Sequence, residues 1–140
     1  MIKSFDLTEQ YKKLEKKINN KVLKVLSSGN YILADNVRFF EKQINDYLGS
    51  KYSVSCNSGT DALILSLRAI GIEKDDEVIT TPFTYFASSE AISLVGAKPV
   101  FADINPHTFN INPKNIKKMI NKKTKAILSV NIFGQTCKLD

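Results

Sequence analysis

The sequence predicts an α/β fold on a largely parallel sheet, and three observations carry that expectation. From residue 52 onward, short β-like runs alternate with amphipathic stretches. Each stretch opens at a small polar residue or proline or closes at a glycine, the residues that start and stop helices. No internal repeat or low-complexity linker interrupts the series. Consecutive parallel strands then require right-handed crossovers.

The elements follow in order. Thr8 is placed to cap a first helix in which Leu14, Ile18, Val22, Val25 and Leu26 recur at helical spacing, with lysines on the opposite face. The cluster Ser27-Ser28-Gly29-Asn30 stops it, and the apolar patch Tyr31-Ile32-Leu33-Ala34 leads to Asp35, which is placed to cap a second helix. Val37, Phe40, Ile44, Tyr47 and Leu48 form its expected buried stripe, and Gly49 closes it. Tyr52–Cys56 reads as a strand, Thr60–Ile70 as a helix ended by Gly71, and Glu77–Thr81 as a strand. Ser88–Val95 reads as a helix ended by Gly96, Pro99–Ala102 as a strand, Pro113–Ile120 as a helix and Ala126–Val130 as a strand. In the Thr60–Ile70 helix, Leu63, Ile64, Leu65, Leu67 and Ile70 lie nearly all round the axis, which predicts an immobile central helix packed on more than one side.

Composition narrows the function. At 140 residues and 43% hydrophobic content, the chain can form one core, or part of a larger one, but not two independent domains. No run is apolar enough to span a bilayer, and Met1–Asp6 does not resemble a secretion signal, so a cytoplasmic protein is expected. Cys56 and Cys137 are far apart and His107 is the only histidine, which signals neither a disulfide framework nor a metal site. The net charge of +6 comes almost wholly from lysine, with Arg38 and Arg68 the only arginines. The two lysine clusters, Lys12 to Lys17 and Lys114 to Lys125, read as solvated helix faces, so no nucleic-acid partner is expected.

The informative stretch is Asn57-Ser58-Gly59-Thr60-Asp61, where a β-like run passes directly into an apolar helix. A helix start presents N–H groups without partners and about half a unit of positive charge, which suits a phosphate. Gly59 permits close approach, Thr60 adds a hydroxyl, and Ser58 can cap the helix or touch the same oxygens; a plain helix cap is the alternative. Neither G-x-x-x-x-G-K-[ST] nor G-x-G-x-x-G is present. Thr80–Ser89 again joins strand to helix and brings Phe83, Tyr85 and Phe86, one of which can lie against a planar heterocycle, although such aromatics are ordinarily core residues. A third such junction, Val130-Asn131-Ile132-Phe133-Gly134-Gln135, places amides on the same rim.

Several motifs in order carry a resemblance: Asn57–Leu63, Gly71-Ile72 with Asp76–Thr80, Pro82-Phe83-Thr84-Tyr85, Glu90-Ala91-Ile92 with Gly96–Phe101, and Phe133-Gly134-Gln135. Together with Phe5-Asp6-Leu7, Gln10 and Ser28–Leu33, they resemble the DegT/StrS-type sugar aminotransferases, fold-type I enzymes that use pyridoxal 5'-phosphate (PLP). The resemblance implies a three-layer, mostly parallel sheet of the fold-type I large domain, incomplete at the C-terminus. Residues 1–34 would be an N-terminal helix and connecting segment, and 35–140 the first part of the PLP-binding domain. It implies phosphate binding at Gly59 and Thr60 with Ser58 and Asp61 beside them, Tyr85 stacked on the pyridine ring, and Gln135 and Asn131 lining the cofactor or sugar side. The family often has histidine where Asn131 stands, which leaves that role open, and Tyr31 is implied at the active-site edge, a dimer contact or a packing position.

The implied reaction moves an amino group, with glutamate as donor, to a nucleotide-linked keto sugar in polysaccharide or glycoside synthesis, in an enzyme that is a homodimer when complete. PLP chemistry needs a Schiff-base lysine and a carboxylate that keeps the ring nitrogen protonated, and in the family both lie beyond the position of Asp140. Lys51 and Lys98 precede strands, on the edge opposite the pocket, and Lys138 stands at an untethered end, so no catalytic residue is expected here. An amino-terminal piece is the expectation, inactive and marginally stable by itself because faces that later strands would cover stand open. A PLP-dependent sugar dehydratase of the same fold and a non-catalytic binding or assembly fragment are the alternative readings.

Overall fold

A computed structural model describes residues 4–138, and the chain divides into two compact units, Met1–Ser55 and Cys56–Asp140. In the first unit, α1 spans Thr8–Ser28 and α2 spans Asp35–Leu48. Gly29 and Gly49 both end their helices in the left-handed conformation (φ 70° and 64°), as their positions predict. The expected N-caps are displaced. Thr8 is the first helical residue and its N–H donates to Asp6 Oδ1 at 2.8 Å, while Asp35 lies inside α2, behind Ala34. The buried stripes are not realised: neither helix holds a buried residue, and Tyr47 is 85% exposed. Periodicity identifies which face is apolar, but burial needs a partner surface. Tyr31 is exposed, and its hydroxyl donates to Leu26 O at 2.9 Å.

The expected strand Tyr52–Cys56 does not form. A strand exists through its ladder, and no described strand runs beside this segment. Its polar groups find side chains instead, with Ser55 N–H donating to Glu41 Oε1 at 2.7 Å.

The second unit holds α3 (Gly59–Ala69), β1 (Glu77–Thr80), α4 (Ala87–Leu94), β2 (Lys98–Phe101), α5 (Pro113–Met119), β3 (Thr124–Ile127) and a 3-10 turn, Ile132–Gly134. The three strands are parallel in the order β2-β1-β3. β3 starts two residues earlier than expected, and Lys125 is left over as a bulge between the pairs Glu77–Thr124 and Val78–Ala126. Pro113 opens α5 behind Asn112, whose side chain accepts the Lys114 N–H.

Successive side chains of a strand face opposite sides, and the central strand uses both. Val78 packs with Leu67, Ile72, Ala91, Ile92 and Ala97 beneath α3 and α4, whereas Ile79 packs with Ala102, Ile111 and Ile116 beneath α5. The unit is therefore helix, sheet, helix. The helix that joins β1 to β2 and the helix that joins β2 to β3 lie on opposite faces, because the second connection reverses direction and passes β1. α3 does not pack all round: only Leu67 is buried, and Leu65 and Ile70 are exposed. One face is seated on α4 and the others are open, which corrects the expected central helix.

Candidate functional site

In an open parallel sheet a ligand crevice forms where the strand order reverses, beyond the C-terminal strand ends. Here that place is β1, flanked by β2 and β3. Thr80, fully buried, donates its hydroxyl to Leu128 O at 2.9 Å and so ties the β1 exit to the β3 exit.

Ser58 stands in extended conformation at the α3 N-cap, with its Oγ accepting from Asp61 N–H at 3.1 Å and donating to Asp61 Oδ2 at 2.9 Å. This reciprocal pair satisfies both side chains and leaves the N–H groups of Gly59 and Thr60 without a partner among the described residues. A Cβ built at Gly59 meets nothing within 4 Å. The glycine is therefore not required by the protein's own packing. Ser58→Ala should cost about 1 kcal/mol of helix stability, the usual value of an N-cap, read as a lower urea midpoint.

Tyr85 lies in the turn between β1 and α4 and is 81% exposed, with Phe86 also exposed, so the core alternative for these rings does not hold. The turn is shaped by Phe83 N–H donating to Thr81 Oγ1 at 3.1 Å and by a hydroxyl contact between Thr84 and Ser88 at 3.1 Å. Phe83 turns instead toward Phe109 and Phe133, with ring centroids 5.7 and 6.4 Å away.

Asn131 and Gln135 are exposed on either side of the 3-10 turn that follows β3. Asn131 Oδ1 accepts the Cys137 N–H at 3.0 Å, and Cys137 Sγ donates to Val130 O at 3.2 Å, closing the segment on itself. Among the described residues, no hydrogen bond or ring contact joins the Ser58–Asp61 group, Tyr85 and Gln135 to one another. What connects two of the three regions is α3 packing on α4 through Leu67, Ala91 and Ile92.

Sequence reasoning missed Phe109 and Asn110. Asn110 is 4% exposed, and its Nδ2 donates to the Gln135 and Thr136 carbonyls at 3.1 Å each. The available signal is the length of Asp103–Asn112, well beyond the roughly 2–6 residues usual between strand and helix.

The donor set fits a phosphorylated planar cofactor: two open N–H groups and a hydroxyl at a helix start, an exposed tyrosine and a carboxamide rim. Among the described residues there is no group of side chains that could hold a metal ion, and no helix is long and apolar enough to cross a membrane.

The profile of the DegT/DnrJ/EryC1/StrS aminotransferase family matches residues 12–140. The chain is 42% identical over 140 residues to the UDP-2-acetamido-2-deoxy-3-oxo-D-glucuronate aminotransferase of Pseudomonas aeruginosa, covering 100% of this chain and 39% of that protein. A DegT/DnrJ/EryC1/StrS aminotransferase from Brucella abortus superposes with a TM-score of 0.89 at 35% identity, over 99% of this chain and 39% of that one. NtdA from Bacillus subtilis, solved with bound cofactor PMP, superposes at 0.82 with 36% identity, over 85% of this chain and 27% of that one. The chain thus spans about two fifths of the length of its curated relative.

Proposed function

The chain belongs to the DegT/DnrJ/EryC1/StrS aminotransferase family, and from that premise we propose that it is the cofactor-phosphate-binding part of a cytoplasmic PLP-dependent enzyme that aminates a nucleotide-linked keto sugar. PMP is the amino form of PLP, and a neighbour holding it shares this fold. When bound, PLP supplies the electron sink through which an amino group passes from donor to acceptor. We assign glutamate as donor, a polysaccharide or glycoside as the pathway's product, and a homodimer as the complete enzyme.

The observation that carries this reading is the open entrance of α3 in a chain matched by the family. The Gly59 and Thr60 N–H groups and the Thr60 hydroxyl hold the phosphate, while the Ser58–Asp61 pair keeps the first helical turn wound around it. Tyr85 covers the ring, and Gln135 and Asn131 line the cofactor or sugar side. In this reading residues 1–34 are the N-terminal helix and connector, and 35–140 are the first part of the large domain. The Schiff-base lysine and the carboxylate facing the ring nitrogen lie outside these residues. Lys98 starts β2 at the edge opposite the rim, and Lys138 is exposed. These 140 residues bind and orient, and they do not complete amino transfer.

The test is a PLP titration of the chain followed by tyrosine fluorescence, which is clean because there is no tryptophan. Saturable quenching, competed by inorganic phosphate, is expected. Tyr85→Ala should weaken binding about tenfold, the worth of one ring stacked on another, with an unchanged melting midpoint because Tyr85 is exposed. Absence of saturable binding by the wild type overturns the reading.

A further inference from the structure

The loop between β2 and α5 reaches both neighbouring strand exits. An isolated antiparallel bridge between Ile104 and Ile111 pins its base, and Phe109 N–H donates to Asn105 O at 2.8 Å. At its corner Phe109 has φ 59°, a left-handed conformation that a bulky residue keeps only when its surroundings enforce it. Its ring lies 5.7 Å from Phe83, in the turn that carries Tyr85, and 6.3 Å from Phe133, itself left-handed at φ 54°.

Asn110 makes the second link. Both amide hydrogens can be used, one on each of two consecutive carbonyls, Gln135 O and Thr136 O. Its Oδ1 is buried without a partner among the described residues. An unsatisfied buried acceptor costs free energy that an apolar side chain would avoid, so packing does not account for an asparagine here. What the carboxamide accomplishes is to fix the backbone on which Gln135 stands, while the Asn131–Cys137 bond closes the same segment from its other side. Aspartate has no donor and would face both carbonyls with negative charge.

We infer that Asn110 is a positioning residue: it holds the Asn131–Thr136 segment in the shape that presents Gln135 to the cofactor. Its purpose rests on the cofactor reading proposed above, and its geometry does not.

The experiment is amide exchange by NMR on the whole chain, with PLP titration in parallel. In Asn110→Asp the Gly134 and Gln135 amides should exchange at least tenfold faster while the Ile79 amide in β1 keeps its rate, and PLP affinity should fall at least fivefold. Unchanged exchange at Gly134 and Gln135, or equal acceleration at Ile79, overturns the inference, as does unchanged PLP affinity. Wild-type chain that takes no PLP overturns the cofactor reading alone, and the exchange rates still decide the brace. If the variant does not fold, the wild type decides: the Asn110 carboxamide hydrogens should exchange at least tenfold more slowly than those of exposed Asn20, and equal rates overturn the brace.

Discussion

Gly59→Val should raise the dissociation constant for PLP about thirtyfold while leaving the melting midpoint within about 2 °C of wild type, a loss near 2 kcal/mol at roughly 1.4 kcal/mol per tenfold. The separation of the two effects is the point. Gly59 is the first residue of α3, its φ is not left-handed, and its Cβ would meet nothing within 4 Å. The protein alone has no steric objection to a side chain there, and Gly59→Ala should even stabilise slightly through helix propensity. A phosphate seated on the open N–H groups would meet a branched side chain at once and lose charge-assisted hydrogen bonds. Titration of PLP beside a thermal melt checks both halves. Affinity unchanged in the valine variant would mean that nothing approaches the helix at this point.

Ile79→Ala should destabilise the Cys56–Asp140 unit by about 3–4 kcal/mol, a large share of the roughly 5–15 kcal/mol that holds an ordinary domain together. Ile79 is fully buried on the central strand, packed against Ala102, Ile111 and Ile116. Ile127→Ala, on β3 and 45% exposed, is the control and should cost less than half as much. Urea unfolding of both variants gives the comparison. Equal losses would show that the α5 side of the sheet is not the tightly packed layer described above.

These expectations divide along the line between what a sequence reveals and what it conceals. The caps expected at Thr8 and Asp35 fall one residue earlier, whereas stops are local, so Gly29 and Gly49, like the helix start at Pro113, are legible from their neighbours alone. So is β1, whose residues Glu77-Val78-Ile79-Thr80 are bounded by turn residues and apolar on both faces. The α3 entrance is legible because Ser58 and Asp61 have a capping reason to occupy those positions. Burial is different: α1, α2 and α3 display apolar faces, and whether anything covers them is a property of distant residues. Tyr52–Cys56 has the composition of a strand but, among the described residues, no neighbour to pair with. Asn110 lies at the far end of this scale, since the carbonyls it grips are 25 and 26 residues away and nothing adjacent to it announces them.

The strand order has a kinetic consequence. The middle strand is the first to be made, so its neighbours must join it one after the other as the chain lengthens, β2 through a short connection and β3 only after a longer excursion. The hydroxyl of Thr80 waits for a carbonyl 48 residues further along. Closure of that longer loop carries the larger entropic cost and should be the slower event. The Asn131–Gln135 segment beyond β3 therefore matures last, and a chain that has paired only its first two strands would already hold a wound α3 entrance without it.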